Sequence, residues 1–256
     1  MPNSNKPAPS ESKTRTSVLS DGTYSNIKEM ILAYEISPGS RVNIDALSLK
    51  LKVSQTPIRE ALARLESDGL ISKEPLKGYR ATNLLSLPEF LDLFQFRLLI
   101  EPWATEQAAR NIDTSGKKAI QAEMKKTKRS LKLKRADEFR SLTEHDARFH
   151  TLVAKLSGSK SVASAFERTH CHLHLFRLFM AHKLEHKVID SRANFVQDLF
   201  EQYYQKGSGQ LAIVEHEVIA NAIIVGDSKA ARLGMHYHIQ SSLKRFSSSA
   251  PQICKS

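Results

Sequence analysis

Apolar residues fall at helical intervals over most of the chain. Tyr24, Ile27, Met30, Ile31 and Tyr34 recur three and four apart and predict a first helix over about 20–35. Ser37-Pro38-Gly39-Ser40 marks a turn. A second helix opens at Asn43 or Ile44, with Ala46, Leu47 and Leu51 on its inner face. The run Val53-Ser54-Gln55-Thr56-Pro57 closes that helix and opens a third. In it Ser54 is placed as N-cap, and Ile58, Ala61, Leu62 and Leu65 form the apolar stripe. Gly69 ends the third helix as a C-terminal glycine does. Residues 70–73 and 79–82 then read as two strands around a turn at 74–78.

Beyond Leu87 the elements lengthen and are all helical. The stretch 87–109 carries Phe90, Leu91, Phe94, Leu98 and Trp103 on one side, with a break or kink expected at Pro102. Further helices are predicted over 116–135, 136–157, 160–187, 190–206, 211–225 and 228–246, with Gly207-Ser208-Gly209 and Gly226-Asp227 as breaks. No repeat of fixed period is present. The pattern changes within 81–87, where Pro88 opens a helix in the favoured first-turn position. The predicted fold is therefore mainly α. A disordered tail over 1–15 precedes a winged helix-turn-helix over 16–82. An all-helical antiparallel bundle over 83–250 follows, and 251–256 is a second tail.

Composition narrows the class. The 256 residues are 41% hydrophobic and 25% charged, enough for a packed core. Two cysteines, Cys171 and Cys254, exclude a disulfide scaffold and a cysteine-rich zinc finger and fit a reducing compartment. No apolar run has the length of a membrane span, and the first fifteen residues lack the apolar core of a secretory signal. The expectation is a cytoplasmic protein without a membrane partner. A formal charge of +11 adds that an anionic partner is to be sought.

Three helices and a hairpin in this order suit DNA. A tight connection at 52–54 would project the third helix into a major groove, which admits one helix. Ser54, Gln55, Thr56, Arg59 and Glu60 lie at its start, and Lys77 and Arg80 in the wing. Gln55 is matched to adenine, Arg59 to guanine, and the hydroxyls of Ser54 and Thr56 to a phosphate. Charge alone does not demand this reading, since residues 1–82 hold 12 Lys/Arg against 9 Asp/Glu. A small helical subdomain with a solvated face would have the same balance. The string from Val53 to Ile71, VSQTPIREALARLESDGLI, closely resembles the recognition helix of GntR-family bacterial transcription regulators. That resemblance implies DNA-contacting positions at Ser54, Gln55, Thr56, Arg59 and Gly78; Glu60, Arg64 and Lys77 are expected to bind DNA beside them. Gln55 stands where that family commonly has Arg, and Lys52 where it commonly has Gly.

Ten histidines invite a search for chemistry. Asp146 and His150 lie four apart, on one helix face. His216 and His238 flank Gly226-Asp227 at nearly equal distance, so two antiparallel helices would set them level. One carboxylate and three imidazoles make a divalent site with positions left for water or ligand. The same residues would otherwise serve as satisfied core histidines. His170, His172 and His174 are spaced so that His172 points away from the other two; they are expected to be structural or superficial. The second half also resembles the FCD type of ligand-binding domain found in the FadR subfamily of GntR regulators. The match runs through Arg97-Leu98-Leu99-Ile100-Glu101, Asp146-Ala147-Arg148-Phe149-His150, and Glu215-His216 on to Gly226-Asp227, Met235 and His238. The resemblance implies a metal, Zn, Ni or Mn, on Asp146, His150, His216 and His238, with a small organic acid above it. Arg97 is either a fork for that acid or a helix partner of Glu101. The basic run from Lys117 to Arg135 reads as a solvated face, with an auxiliary phosphate-facing patch as its other reading. The stretch 192–210 exceeds the family's usual length and would cover the pocket or add to a dimer contact.

Together these residues predict a homodimeric transcription regulator on a pseudo-palindromic duplex operator, switched by a small carboxylate bound near a metal. The alternatives to this reading of a three-histidine, one-aspartate site are water activation in a metal-dependent hydrolase, for which no general base stands out, and direct sensing of the ion.

Overall fold

The computed structural model describes residues 9–130, 135–183 and 208–247. The chain divides into two compact units after Leu84. In the first, α1 (Pro9–Leu32), β1 (Arg41–Val42), α2 (Ile44–Leu51), α3 (Gln55–Ser67), β2 (Ile71–Glu74) and β3 (Gly78–Ala81) follow in order. Helix α1 starts inside the stretch read as a tail; residues 1–8 lie outside the described part. The strands form one antiparallel sheet in the order β1-β3-β2, pairing Val42 with Tyr79 and Lys73 with Tyr79 across the centre. Strand β1 is an addition to the predicted hairpin; at two residues it is too short to show an alternating pattern.

The local chemistry of the sequence explains the boundaries. Asn43 caps α2 by accepting from the Ala46 amide at 3.0 Å. Lys52 ends that helix in the left-handed region at φ 56°. Ser54 occupies the N-cap position of α3, with no capping hydrogen bond from its side chain. Ile58, Ala61, Leu62 and Leu65 on α3 are fully buried against Ile27 and Ile31 of α1, which forms the core of this unit.

The second unit is helical: α4 (Leu87–Asn111), α5 (Thr114–Ser130), α6 (Arg135–Leu156), α7 (Lys160–Arg168), α8 (Cys171–Lys183), α9 (Ser208–Val225) and α10 (Ser228–Ser247). Ser86 and Glu89 close a capping box on α4, with Pro88 in its first turn. The helix continues through Pro102 rather than breaking there. The single helix read over 160–187 is two, separated where His170 takes φ 45°. The helix predicted over 190–206, and with it most of 192–210, lies outside the described residues, as do Cys254 and the tail 251–256. Helix α4 packs on α6 and α10, α5 on α6, and α9 on α10. Phe90, Phe94, Phe149, Val153, Ile219, Ile223 and Met235 fill the core between them.

The corner between α9 and α10 is tight. Gly226 sits at φ 81°, and the amides of Gly226 and Asp227 bond back to Ile223 and Ala222 at 3.0 and 2.9 Å. Asp227 then caps α10 by accepting from the Ala230 amide at 3.0 Å. Gly234 lets the helices close up, because a Cβ there would stand 3.1 Å from Ile219. No helix among the described residues is long and apolar enough to cross a membrane.

Candidate metal centre and nucleic-acid interface

Helix α6 presents Asp146 and His150 one turn apart, and the tight corner brings His216 of α9 level with His238 of α10. One ligand atom from each of the four lies within 4.8 Å of every other. His150, His216 and His238 are buried, and Asp146 is partly exposed. Asp146 Oδ1 stands 3.6 Å from His150 Nε2 and 3.4 Å from His216 Nε2, and the Nε2 atoms of His216 and His238 are 3.2 Å apart.

Hydrogen-bond partners fix where the ring protons lie. Glu215 faces His238 Nδ1 at 2.7 Å, and Glu101 faces His150 Nδ1. A carboxylate only accepts, so both rings carry their proton on Nδ1. His216 Nδ1 meets His145 Nε2 at 3.0 Å, while His145 Nδ1 meets Glu123 at 2.9 Å and Thr127 at 2.6 Å. Glu123 takes the His145 proton, so His145 Nε2 accepts from His216 Nδ1. The Nε2 atoms of all three rings therefore face the cluster; burial would lower the His150 pKa, but the Glu101 and Asp146 carboxylates outweigh it and raise it. Burial lowers the pKa values of His216 and His238, which keeps them neutral. The Nε2 atoms of two rings held neutral thus face each other across 3.2 Å, an arrangement that could take a cation between them. Each of the three imidazoles is held from behind, the arrangement metal-bound histidines usually have. The donors, three nitrogens and a carboxylate oxygen, suit a borderline divalent ion.

Around this cluster lie further charged and titratable groups. Arg97, 2% exposed, donates from Nε to Glu101 at 2.5 Å, and its Nη2 lies 3.5 Å from His150 Nε2. The helix pairing with Glu101 is thus realised, and the guanidinium also borders the cluster. Burial opposes both charges, but each partner's charge holds Glu101 below and Arg97 above its ordinary pKa. Asp146 is held well below the carboxylate range: burial alone would raise it, and the facing His172 and His150 outweigh that. In the 170–174 cluster His172 is buried and not superficial, with Nε2 3.0 Å from Asp146 Oδ2. His170 lies between α7 and α8, and burial pulls His174 down to about 4. Cys171 is a buried free thiol, pushed up to about 12 by burial. Glu123, His145, Glu215 and His172 reach the site from residues distant in sequence or from helix neighbours of the candidate ligands, so spacing gave no signal for them; Glu101 was expected only as the helix partner of Arg97.

In the first unit the start of α3 and the wing border a concave pocket of about 490 Å³. Gln55, Arg59, Lys77 and Gly78 line it together with Arg41, Lys73 and Tyr79. Asp45 holds Gln55 by accepting from its amide at 2.6 Å, and Arg59 donates to Gln55 Oε1 at 3.2 Å. Ser54, Thr56 and Glu60 are exposed on α3 and do not line the pocket. Arg64 is turned toward α1, 2.6 Å from Asp21 and stacked on Tyr24. Arg80 is spent within the unit, donating to the Gly39 carbonyl and to Glu74 at 3.0 Å. In the basic run of α5, Glu123 is paired with Arg148, and residues 131–134 lie outside the described part.

Comparison with known proteins matches two family models. Residues 92–241 fit the FCD domain, and residues 19–80 fit the bacterial regulatory proteins of the gntR family. The HTH-type transcriptional regulator YdhC of Bacillus subtilis is 24% identical over 155 residues, 60% of this chain and 68% of that protein. The Nta operon transcriptional regulator of Aminobacter aminovorans is 37% identical over 81 residues, 32% of this chain and 38% of that protein. Among solved structures, McbR/YncC of E. coli superposes with a TM-score of 0.60 at 16% identity, covering 90% of this chain and 97% of the other. Those families and relatives are transcriptional regulators and not enzymes.

Proposed function

Since this chain belongs to the FCD family and carries a gntR-type DNA-binding domain ahead of that domain, we propose that a small organic acid, bound at a divalent metal in the second unit, controls its hold on an operator. The chain is a transcriptional regulator; metal, effector and their coupling to DNA are the proposal. One observation carries it: the Nε2 atoms of His216 and His238 face each other 3.2 Å apart in a buried site that also holds Asp146 and His150.

Asp146, His150, His216 and His238 would hold the ion, which is Zn, Ni or Mn. When bound, the ion supplies a positive anchor for an anionic oxygen. With His150 Nε2 given to the ion, Arg97 Nη2, which lies 3.5 Å from it, would be left to donate to the acid's carboxylate. Binding of the acid selects one of two states of the protein, and only a difference in its affinity for the two states can shift DNA binding. In the first unit Gln55 and Arg59 would read base edges, Ser54 and Thr56 phosphates, with Glu60, Arg64, Lys77 and Gly78 beside them.

The regulator is further read as a FadR-type homodimer on a pseudo-palindromic operator. Leu211, Val214, Val218 and Val225 recur at helical spacing on α9 and are exposed, with Leu233 and Tyr237 of α10. An apolar stripe of this kind suits a second copy.

Full-length protein purified without a histidine tag should contain metal by elemental analysis, and His216→Ala should lose it. A duplex selected from a randomised pool serves as operator. Its affinity should respond to an organic acid only when the metal is present. A response to metal alone, with every acid silent, would make the ion itself the signal. Wild type and His216→Ala with equal metal content would sink the site.

A further inference from the structure

Each of the three imidazole ligands has a partner behind it: Glu101 for His150, His145 for His216 and Glu215 for His238. Asp146 has a counterpart from a helix that supplies no ligand. His172, in the first turn of α8, is 6% exposed, and its Nε2 lies 3.0 Å from Asp146 Oδ2. The other oxygen, Oδ1, faces His150 and His216. His172 Nε2 makes no aligned hydrogen bond. Its ring is set among rings, with centroids 5.0 Å from His150 and 5.8 Å from Phe166. A buried ring nitrogen with one carboxylate oxygen in reach is satisfied by donating to that oxygen.

We propose that His172 is a positioning residue, which holds Asp146 Oδ2 and so limits Asp146 to a single oxygen on the ion. The role of His172 rests on the cluster being a metal centre. A carboxylate free at both oxygens can chelate an ion with both. One that is pinned at Oδ2 offers Oδ1 alone and leaves one more coordination position for an exogenous ligand. The restriction also acts on metal choice. Ions with a preference for oxygen, such as Mn²⁺, gain from a two-oxygen carboxylate, whereas Zn²⁺ favours few ligands and nitrogen donors. His172 therefore tunes both the openness of the centre and its preference between these ions.

The test titrates Zn²⁺, Mn²⁺ and Co²⁺, each alone, onto full-length protein stripped with chelator. His172→Phe keeps the ring volume and removes the donor; His172→Gln restores an N–H donor. In His172→Phe, Zn²⁺ and Co²⁺ should bind about 10–100-fold more weakly, the scale expected when such a partner is lost. Mn²⁺ should weaken less, so the Zn²⁺/Mn²⁺ preference falls, and the visible bands of bound Co²⁺ should shift. His172→Gln should recover affinity and spectrum. Circular dichroism checks folding, and His172→Leu replaces the Phe variant if that one does not fold. Wild-type affinities and an unchanged Co²⁺ spectrum in the Phe variant would overturn the proposal while leaving the metal site intact. A Gln variant that is folded yet as weak as the Phe variant would also overturn it, since the imidazole would then be a ligand itself. Absence of metal uptake by the unaltered protein would instead remove the metal reading.

Discussion

Arg97 and Glu101 are both nearly inaccessible, and each is tolerable only because the other is there. Removing one leaves a buried charge without compensation, which typically costs about 3–5 kcal/mol. Glu101→Ala should therefore lower stability by about that amount in urea unfolding, whereas Arg97→Met combined with Glu101→Leu should recover most of it. A single variant as stable as wild type would show that the pair is not buried in solution. Glu123 gives a pH dependence. Burial would raise its carboxyl, but hydrogen bonds from Arg148 and His145 hold it below the ordinary value of 4.5. A depressed native carboxyl adds stability above its unfolded pKa and loses it as the pH falls through the lower native value. The stability gap between wild type and Glu123→Gln should thus be constant near neutrality and close below about pH 4.5. A gap that widens in acid would refute the sign. The four candidate ligands were legible in the sequence because helix period and a tight turn bring them together. Their supports were not: Glu101 and His150 are 49 residues apart and His145 and His216 are 71 apart, pairings that only the packing of separate helices creates.

At the scale of the element, two left-handed residues mark opposite cases. Lys52 ends α2 at φ 56°, where a side chain is strained by roughly 1–2 kcal/mol. Lys52→Gly should relieve part of that and raise the unfolding midpoint slightly; a lower midpoint would show that lysine makes a compensating contact. Gly226, at φ 81°, has room for a Cβ, the nearest atom being the Ala109 carbonyl oxygen at 3.8 Å. Gly226→Ala should cost about 1–2 kcal/mol from the backbone alone. It should also weaken metal binding, since the corner sets His216 level with His238. The recognition helix and wing were readable because stripe, cap and turn residues agree there. The gap between α7 and α8 was not, since neither glycine nor proline stands anywhere between Phe166 and Lys183 to announce it.

For the whole molecule, charge and apolar surface lead to separate expectations. The first 82 residues contribute little of the +11, so most of the positive charge lies beyond the DNA-binding unit. Operator binding should still weaken with salt, by a slope of about −0.9 for each phosphate contacted. Arg59→Ala should cost about 1–3 kcal/mol of operator affinity and relax the base preference at one position of each half-site. Full affinity for the selected duplex at moderate salt would exclude Arg59 as a reader. Val218→Glu should turn the expected dimer into a monomer in sedimentation and weaken binding to a two-half-site duplex; an unchanged mass would move the dimer contact elsewhere. The partners that steady the candidate metal cluster also set a limit on what it can receive. Among the described groups that border it, Asp146, Glu101 and Glu215 bear three negative charges, and Arg97 and Arg245 bear two positive ones. With neutral imidazoles, a divalent ion turns that one-charge deficit into a one-charge excess, and an uncompensated buried charge is costly. A monoanion brings the interior to neutrality and a dianion oversteps it. Monocarboxylates should accordingly outbind dicarboxylates of like size in calorimetry on metal-loaded protein, and selectivity among metabolites would begin with electroneutrality before shape.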